Sequence, residues 1–133
     1  AVRIGHGVRI AGNKEVIQLV KDKGVFLEMC PTSNRQTKAM EEMSAYPLKT
    51  FLEMGLKVTL NTDDPAIERT TLSREFRYME SLLDLTQEQK RLLLLNSVEA
   101  AFTSRNRKCK LKEQLFSEPY ENYGEPIIYK RIK

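Results

Sequence analysis

The sequence predicts an α/β fold built on a parallel sheet, and two observations support this. Apolar runs of about five residues alternate with helical patterns along the first half of the chain, which is typical of βαβ units. Polar residues follow each of these runs, where a parallel sheet collects its functional loops. Two architectures fit both observations, a doubly wound open sheet and a (β/α)8 barrel.

The first half of the chain predicts three strand units in order. "AVRIG" precedes a helical pattern in "NKEVIQLVKDKG", where Gly24 is placed for the C-terminal cap. "VFLEM" precedes the loop signal "CPTSN", and then "YPLKTFLEMG", where Pro47 suits a first helical turn and Gly55 ends the helix. "LKVTL" opens a third unit, because its apolar residues alternate with polar ones.

The second half of the chain is predicted to be helical. Four apolar residues keep a helical spacing: Leu72, Phe76, Met79 and Leu83. "TQEQ" matches a capping box that opens a helix containing "RLLLLNSVEAAF", and a further amphipathic turn is expected near Leu111 and Leu115. We expect residues 1–117 to be folded and residues 118–133, rich in Pro, Gly and charge, to form an extended polar tail.

Composition narrows the class of protein. At 133 residues, with 41% hydrophobic and 30% charged residues, the chain has the size of one ordinary domain or of a piece of a larger one. No apolar run approaches the roughly 20 residues that cross a bilayer, so we expect a cytoplasmic protein without a membrane partner. Cys30 and Cys109 fit neither a disulfide framework nor a CxxC metal site, which predicts reduced thiols.

The basic residues do not indicate a nucleic-acid partner. The formal charge of +4 comes from Lys and Arg that are spread along the chain and interleaved with Glu, as on solvated helix faces. The one dense basic run, "RNRKCKLK", is interpreted as a solvated helix face or a connector.

The polar residues with chemical potential follow the three predicted strands, in "GHG", "CPTSN" and "NTDDP". His6 is the only histidine and lies between two glycines that let the backbone bend; a structural hydrogen bond is the alternative role. Asp63 and Asp64 repel each other, which a metal ion or a proton-sharing substrate would relieve, unless one of them simply caps the next helix. Cys30 is interpreted as apolar filling, since no second histidine can serve as its base.

Together these segments resemble the adenosine deaminase family. Four of them follow the order of the family's C-terminal landmarks: "RIGHG" at 3–7, "CPTSN" at 30–34, "PLKTFLEMGLKVTLNTDDP" at 47–65 and "NSVEAAF" at 96–102. The resemblance implies the C-terminal part of a (β/α)8 TIM barrel, with about three βα units followed by extra C-terminal helices and a catalytic zinc at the rim. The adenosine branch matches better than the AMP branch, and adenine deaminase is the alternative.

The resemblance also implies roles for four residues. By match to "GHG", His6 would orient and stabilise the zinc-bound hydroxide without being a ligand. By match to "NTDDP", Asp63 would be a zinc ligand that also contacts the attacking water, and Asp64 would hydrogen-bond N7 of the purine. Ser33 would support Asp63 from behind. In the intact enzyme, zinc-activated water would attack C6 of a purine nucleoside substrate, so that adenosine becomes inosine and ammonia leaves.

The family's other site residues lie upstream of the segment matched by "RIGHG". Its H-x-H pair, its third zinc histidine and its general-acid Glu have no counterpart in this sequence. Because a catalytic zinc normally takes three protein ligands, we expect a chain cut from a longer protein, inactive alone and dependent on the missing N-terminal part of the barrel. A non-catalytic fragment that self-associates through its open strand edges is the alternative.

Overall fold

The computed structural model describes residues 1–117 and has a three-stranded parallel sheet at its centre. The strands are β1 (Arg3–Gly5), β2 (Phe26–Met29) and β3 (Lys57–Leu60), hydrogen-bonded in chain order. Leu27 in the middle strand lies beside Ile4 of β1 and Val58 of β3. The predicted α/β fold is therefore confirmed, whereas the predicted tail at 118–133 lies outside the described residues.

Helices connect and follow the strands. Within residues 1–117 the α-helices are α1 (Lys14–Asp22), α2 (Pro31–Gln36), α3 (Leu48–Glu53), α4 (Pro65–Glu68), α5 (Leu72–Leu83), α6 (Gln87–Ala100) and α7 (Arg105–Phe116). Short 3-10 turns occupy Val8–Ile10 and Met43–Ala45. The predicted capping box is present, because the Thr86 and Gln89 side chains each accept the other residue's backbone N–H.

The core lies between the sheet and the helices packed on it. Side chains without measurable exposure come from both layers: Leu27, Met29, Leu48, Val58, Met79 and Leu93. Burying each one stabilises the fold by roughly 1.5–3 kcal/mol. Gly7 fits against this core only as glycine, because its φ is 71° and an added Cβ would lie 2.7 Å from Cδ2 of Leu27.

The segment after β2 differs from the prediction. "CPTSN" was expected to be a loop, yet its residues open helix α2, with Pro31 in the first turn. The expectation was wrong because a proline at the start of a helix loses no hydrogen bond, so the same residues that signal a turn also begin a helix. Thr32, Ser33 and Asn34 are buried as a result, which fixes their side chains in place.

Asn96, from the "NSVEAAF" segment, ties α6 to the sheet. Its Nδ2 donates to the carbonyl of Val58 at 2.8 Å. The Asn61 N–H donates to the Met29 carbonyl of β2. Successive residues of a strand direct their backbone groups to opposite edges, so the carbonyl of Val58, three residues before Asn61, faces away from β2. Asn96 therefore satisfies an acceptor at the outer edge of β3, two residues before the strand ends.

The basic run lies in α7 and is largely exposed. Lys112 forms an ion pair with Glu99 of α6, and Lys108 donates to the Glu99 backbone carbonyl. The hydrogen-bonded cation at Lys112 lowers the pKa of the Glu99 carboxyl. Across residues 1–117, every helix is too short or too polar to span a bilayer.

Candidate active site at the strand ends

Three of the four residues singled out from the sequence meet at the ends of the strands. The Ser33 hydroxyl at the start of α2 donates to Oδ2 of Asp63 at 2.7 Å. His6, after β1, directs Nε2 toward the same oxygen at 3.5 Å, which is longer than an ordinary hydrogen bond. The structure thus brings one imidazole, one hydroxyl and one carboxylate together from three successive strand ends.

His6 and Asp63 both have left-handed backbone conformations. Their φ angles are 59° and 62°, which cost an ordinary L-residue about 1 kcal/mol or more. The ladder holds His6 in this geometry, because its backbone N–H donates to the Glu28 carbonyl at 2.8 Å. Backbone strain of this kind concentrates at functional sites, and here it turns two partly exposed side chains toward one point.

Asp64 faces a different donor from its neighbour. Its Oδ1 accepts the backbone N–H of Ile67 at 3.2 Å and caps α4. Helix capping, which the sequence left open for either aspartate, is therefore performed by Asp64. Because separate donors engage the two carboxylates, their repulsion is reduced without a shared proton. The cap uses one Asp64 oxygen and leaves Oδ2 for another contact.

The metal-ligand chemistry of this rim is suitable but incomplete. Zinc accepts carboxylate and imidazole ligands, and Asp63 is oriented by Ser33 as metal-binding carboxylates commonly are. Between residues 1 and 117, however, no group of three or more His, Cys, Asp or Glu side chains could hold a metal ion. The residues present therefore fit one part of a zinc site.

Glu75 in α5 was missed by the sequence reasoning, although it is 1% exposed. Its carboxylate accepts the Thr32 N–H at 3.1 Å together with the hydroxyls of Thr32 and Thr70. The available signal was an acidic residue on an apolar helix face, three positions after Leu72 and four before Met79. Glu75 fixes the start of α2, one residue before Ser33.

Tyr46 and Asn34 form a second missed group, behind His6. The Tyr46 hydroxyl donates to Oδ1 of Asn34 at 2.7 Å, and Nδ2 of Asn34 lies 3.2 Å from Nδ1 of His6. Asn34 could be suspected because it belongs to the polar segment after β2. Tyr46 carried no comparable signal, since it lies twelve positions after Asn34 and outside the polar segment.

Cys30 has the environment of a structural thiol. Its Sγ donates to the Glu28 carbonyl at 3.3 Å. Burial raises the pKa of Cys30 to about 12, and the nearby carboxylates of Asp63, Glu68 and Glu75 add to the rise. A thiol with this pKa remains protonated at neutral pH and is a poor nucleophile.

Thiol labelling of the native chain is expected to distinguish its two cysteines. At pH 8, Cys109, which is exposed, should react first, whereas a buried thiol with a pKa of about 12 has a thiolate fraction of only about 10⁻⁴. The Cys109→Ser variant should lose the fast phase and Cys30→Ser should keep it; the reverse would contradict this assignment.

The raised pKa of Cys30 also predicts how the stability of the fold depends on pH. Because folding raises the pKa of Cys30 from 9.0, the contribution of this thiol to the free energy of unfolding should be complete below pH 9 and decline toward pH 12.

Comparison with known proteins identifies the family. The adenosine deaminase family model matches residues 1–118. This chain belongs to the adenosine deaminase family. An adenosine deaminase from Clostridium botulinum (strain Okra / Type B1) is 46% identical over 112 residues, which make up 84% of this chain and 33% of that protein. The chain thus spans about a third of the length of such curated relatives.

Solved deaminase structures share the fold. Adenine deaminase from Arthrobacter aurescens has 30% identity and a TM-score of 0.83, over 88% of this chain and 36% of that one. The N6-methyl-AMP deaminase from Arabidopsis thaliana has 25% identity and a TM-score of 0.80, over 90% of this chain and 35% of that one. These neighbours are TIM-barrel deaminases, so the predicted partial (β/α)8 barrel is confirmed.

The comparisons confirm the predicted family and leave the individual roles untested. The predicted enzyme class, a family of hydrolytic deaminases, is confirmed by the family match and the curated relatives. The roles of His6, Ser33, Asp63 and Asp64, and the division of the chain at residue 117, stay predictions.

Proposed function

We propose that this chain forms the C-terminal rim of a zinc-dependent deaminase that hydrolyses adenosine to inosine, and that it is inactive without the N-terminal part of the barrel. The observation that carries the proposal is the convergence of His6, Ser33 and Asp63 at three strand ends. Support comes from the chain's coverage of one third of its adenosine deaminase relatives, which agrees with the incomplete set of metal ligands among residues 1–117.

Each residue at the rim has a separate task in this proposal. Asp63, oriented by the Ser33 hydroxyl, would hold the metal and accept a hydrogen bond from the attacking water. Zinc, when bound, supplies a water whose pKa is lowered to about 7. His6, whose Nε2 faces the same Asp63 oxygen, would orient that water and stabilise negative charge during attack on C6.

Asp64 would bind the purine while it caps α4. The cap occupies Oδ1, so Oδ2 would contact N7. Because N7 of adenosine and a carboxylate oxygen are both hydrogen-bond acceptors, a hydrogen bond between them requires one proton shared by the two atoms.

Adenosine is proposed as the substrate in preference to adenine because the chain is more similar in sequence to an adenosine deaminase than to an adenine deaminase. The C. botulinum adenosine deaminase is 46% identical, against 30% for the adenine deaminase of A. aurescens. Adenine is the second candidate because that structure superposes on this chain with a TM-score of 0.83. The rim residues act at C6 and N7, which both substrates share, so they do not discriminate between them.

Reconstitution tests the proposed activity. The chain is assayed alone and after fusion to the N-terminal two-thirds of the C. botulinum relative. This fusion protein is the reconstituted enzyme. The chain alone should form no inosine and bind no stoichiometric zinc, whereas the reconstituted enzyme should do both. Each assay compares adenosine with adenine, and a matched fusion truncated after Ser117 should retain activity if residues 118–133 are a dispensable tail.

Three outcomes would contradict parts of this proposal. Inosine formation by the purified chain alone would show that its site is complete without further residues. Preference of the reconstituted enzyme for adenine would replace the substrate. A folded fusion without zinc or activity, together with oligomers of the free chain in sedimentation, would favour the structural fragment that self-associates through its strand edges.

A further inference from the structure

The side chains behind His6 form a directed hydrogen-bond chain that begins at a buried tyrosine. We propose that Tyr46 and Asn34 are positioning residues that fix His6 as the tautomer with its proton on Nε2, directed toward Asp63. All of these residues belong to this chain, and only the catalytic consequence of their hydrogen bonds rests on the proposed function.

Tyr46 begins this series of hydrogen bonds and is held in place by burial, because it is only 2% exposed. Its hydroxyl lies 2.7 Å from Oδ1 of Asn34. Burial raises the pKa of Tyr46 far above its ordinary value, and the backbone N–H of Cys30 at the phenol oxygen offsets only part of the rise. Tyr46 therefore keeps its proton, and its hydroxyl donates a hydrogen bond to the Asn34 carbonyl oxygen.

Asn34 passes this orientation to His6. The Asn34 side chain is 2% exposed, so its oxygen and nitrogen must both find partners within the protein. With Oδ1 accepting from Tyr46, Nδ2 is the atom that faces Nδ1 of His6 at 3.2 Å. An amide nitrogen can only donate, so Nδ1 of His6 must accept.

The tautomer of His6 follows from this direction. A neutral imidazole carries one proton, and when Nδ1 accepts a hydrogen bond the proton is on Nε2. Nε2 faces Oδ2 of Asp63 at 3.5 Å, so the ring presents an N–H to the carboxylate instead of a lone pair that would be repelled. In the proposed reaction, this N–H is a donor aimed at the place where the attacking oxygen is held.

Nitrogen NMR can read this tautomer directly, because the sequence contains a single histidine. The full chain is labelled with ¹⁵N-histidine and recorded, without metal, at an alkaline pH where the spectrum no longer changes. The wild-type chain should show a protonated, pyrrole-type Nε2 and an unprotonated, pyridine-type Nδ1. A pyrrole-type Nδ1 in the wild-type chain would overturn the proposal.

Two substitutions test whether the neighbours set the tautomer. Asn34→Asp replaces the amide donor by a carboxylate that only accepts, so the two nitrogen shifts should exchange their types. Tyr46→Phe removes the hydroxyl but keeps the ring, so both shifts should move toward each other as the Asn34 amide becomes free to flip. Tyr78→Phe, which alters a tyrosine stacked under Arg35, is the matched control and should change neither shift.

The outcomes separate this inference from the proposed function. Unchanged nitrogen shifts in Asn34→Asp, in a variant with the circular dichroism spectrum of the wild type, would overturn it whatever the reconstituted enzyme does. If Asn34→Asp does not fold, equal shifts in Tyr46→Phe and the wild type would overturn it as well. An inactive reconstituted enzyme alongside the expected shifts would count against the proposed function alone.

Discussion

Replacing Asp63 by alanine in the reconstituted enzyme is expected to abolish zinc retention and to lower kcat by at least about a thousand-fold. The loss should exceed the roughly 10- to 100-fold effect of removing a residue that only orients a metal ligand. Ser33→Ala, which deletes the 2.7 Å hydrogen bond to Asp63, should fall in that smaller range. Zinc per protein and adenosine turnover, measured on the same preparations, check both expectations.

Asp64 variants are the control for this experiment, because they alter the adjacent carboxylate. Asp64→Ala should leave zinc bound and weaken purine binding, and it also loses the α4 cap at Ile67, which is worth about 0.5–2 kcal/mol. Asp64→Asn should be milder, since an amide can still accept the Ile67 N–H and can donate to N7. Equal loss of zinc in Asp63→Ala and Asp64→Ala would contradict the division of roles.

The meeting of His6 with Asp63 was accessible from the sequence because of a topological rule. Parallel strands joined by helices bring their carboxyl ends to one edge, so residues 57 positions apart could be placed together from their strand patterns alone. The left-handed backbone at both residues was not accessible in the same way. Glycines flank His6, whereas Asp63 follows a threonine. The only hint at Asp63 was that aspartate tolerates the left-handed conformation better than most residues.

The supporting contacts were beyond sequence reasoning for a physical reason. Periodicity shows which face of an element is buried, but a hydrogen-bond partner depends on which elements pack together. Glu75 meets Thr32 across 43 residues, and Asn34 meets His6 across 28. The prediction of a loop at "CPTSN" was wrong for a related reason. The residues of this segment also permit a helix, and the packing of α2 against α5 selects that conformation.

Glu75→Ala is expected to destabilise the chain by roughly 2–4 kcal/mol in free energy of unfolding, because it leaves three donors without their acceptor. One of these donors is the backbone N–H of Thr32, which no side-chain rotation can redirect to solvent. Glu75→Gln keeps one acceptor oxygen and the volume, so its effect should be about half as large. Urea unfolding followed by circular dichroism measures both, and the transition midpoint should fall without a change in slope.

Glu113→Ala is the matched control, since it removes an exposed helical glutamate and should change stability by less than about 0.5 kcal/mol. A Glu75→Ala effect no larger than this would show that the buried carboxylate is not the anchor of α2.

Because Thr32 directly precedes Ser33, the loosened helix should also disturb the Ser33 hydroxyl's bond to Asp63. In the reconstituted enzyme, Glu75→Gln should therefore weaken zinc retention even at temperatures where the protein stays folded, although the carboxylate of Glu75 contacts neither His6 nor Asp63 through a hydrogen bond.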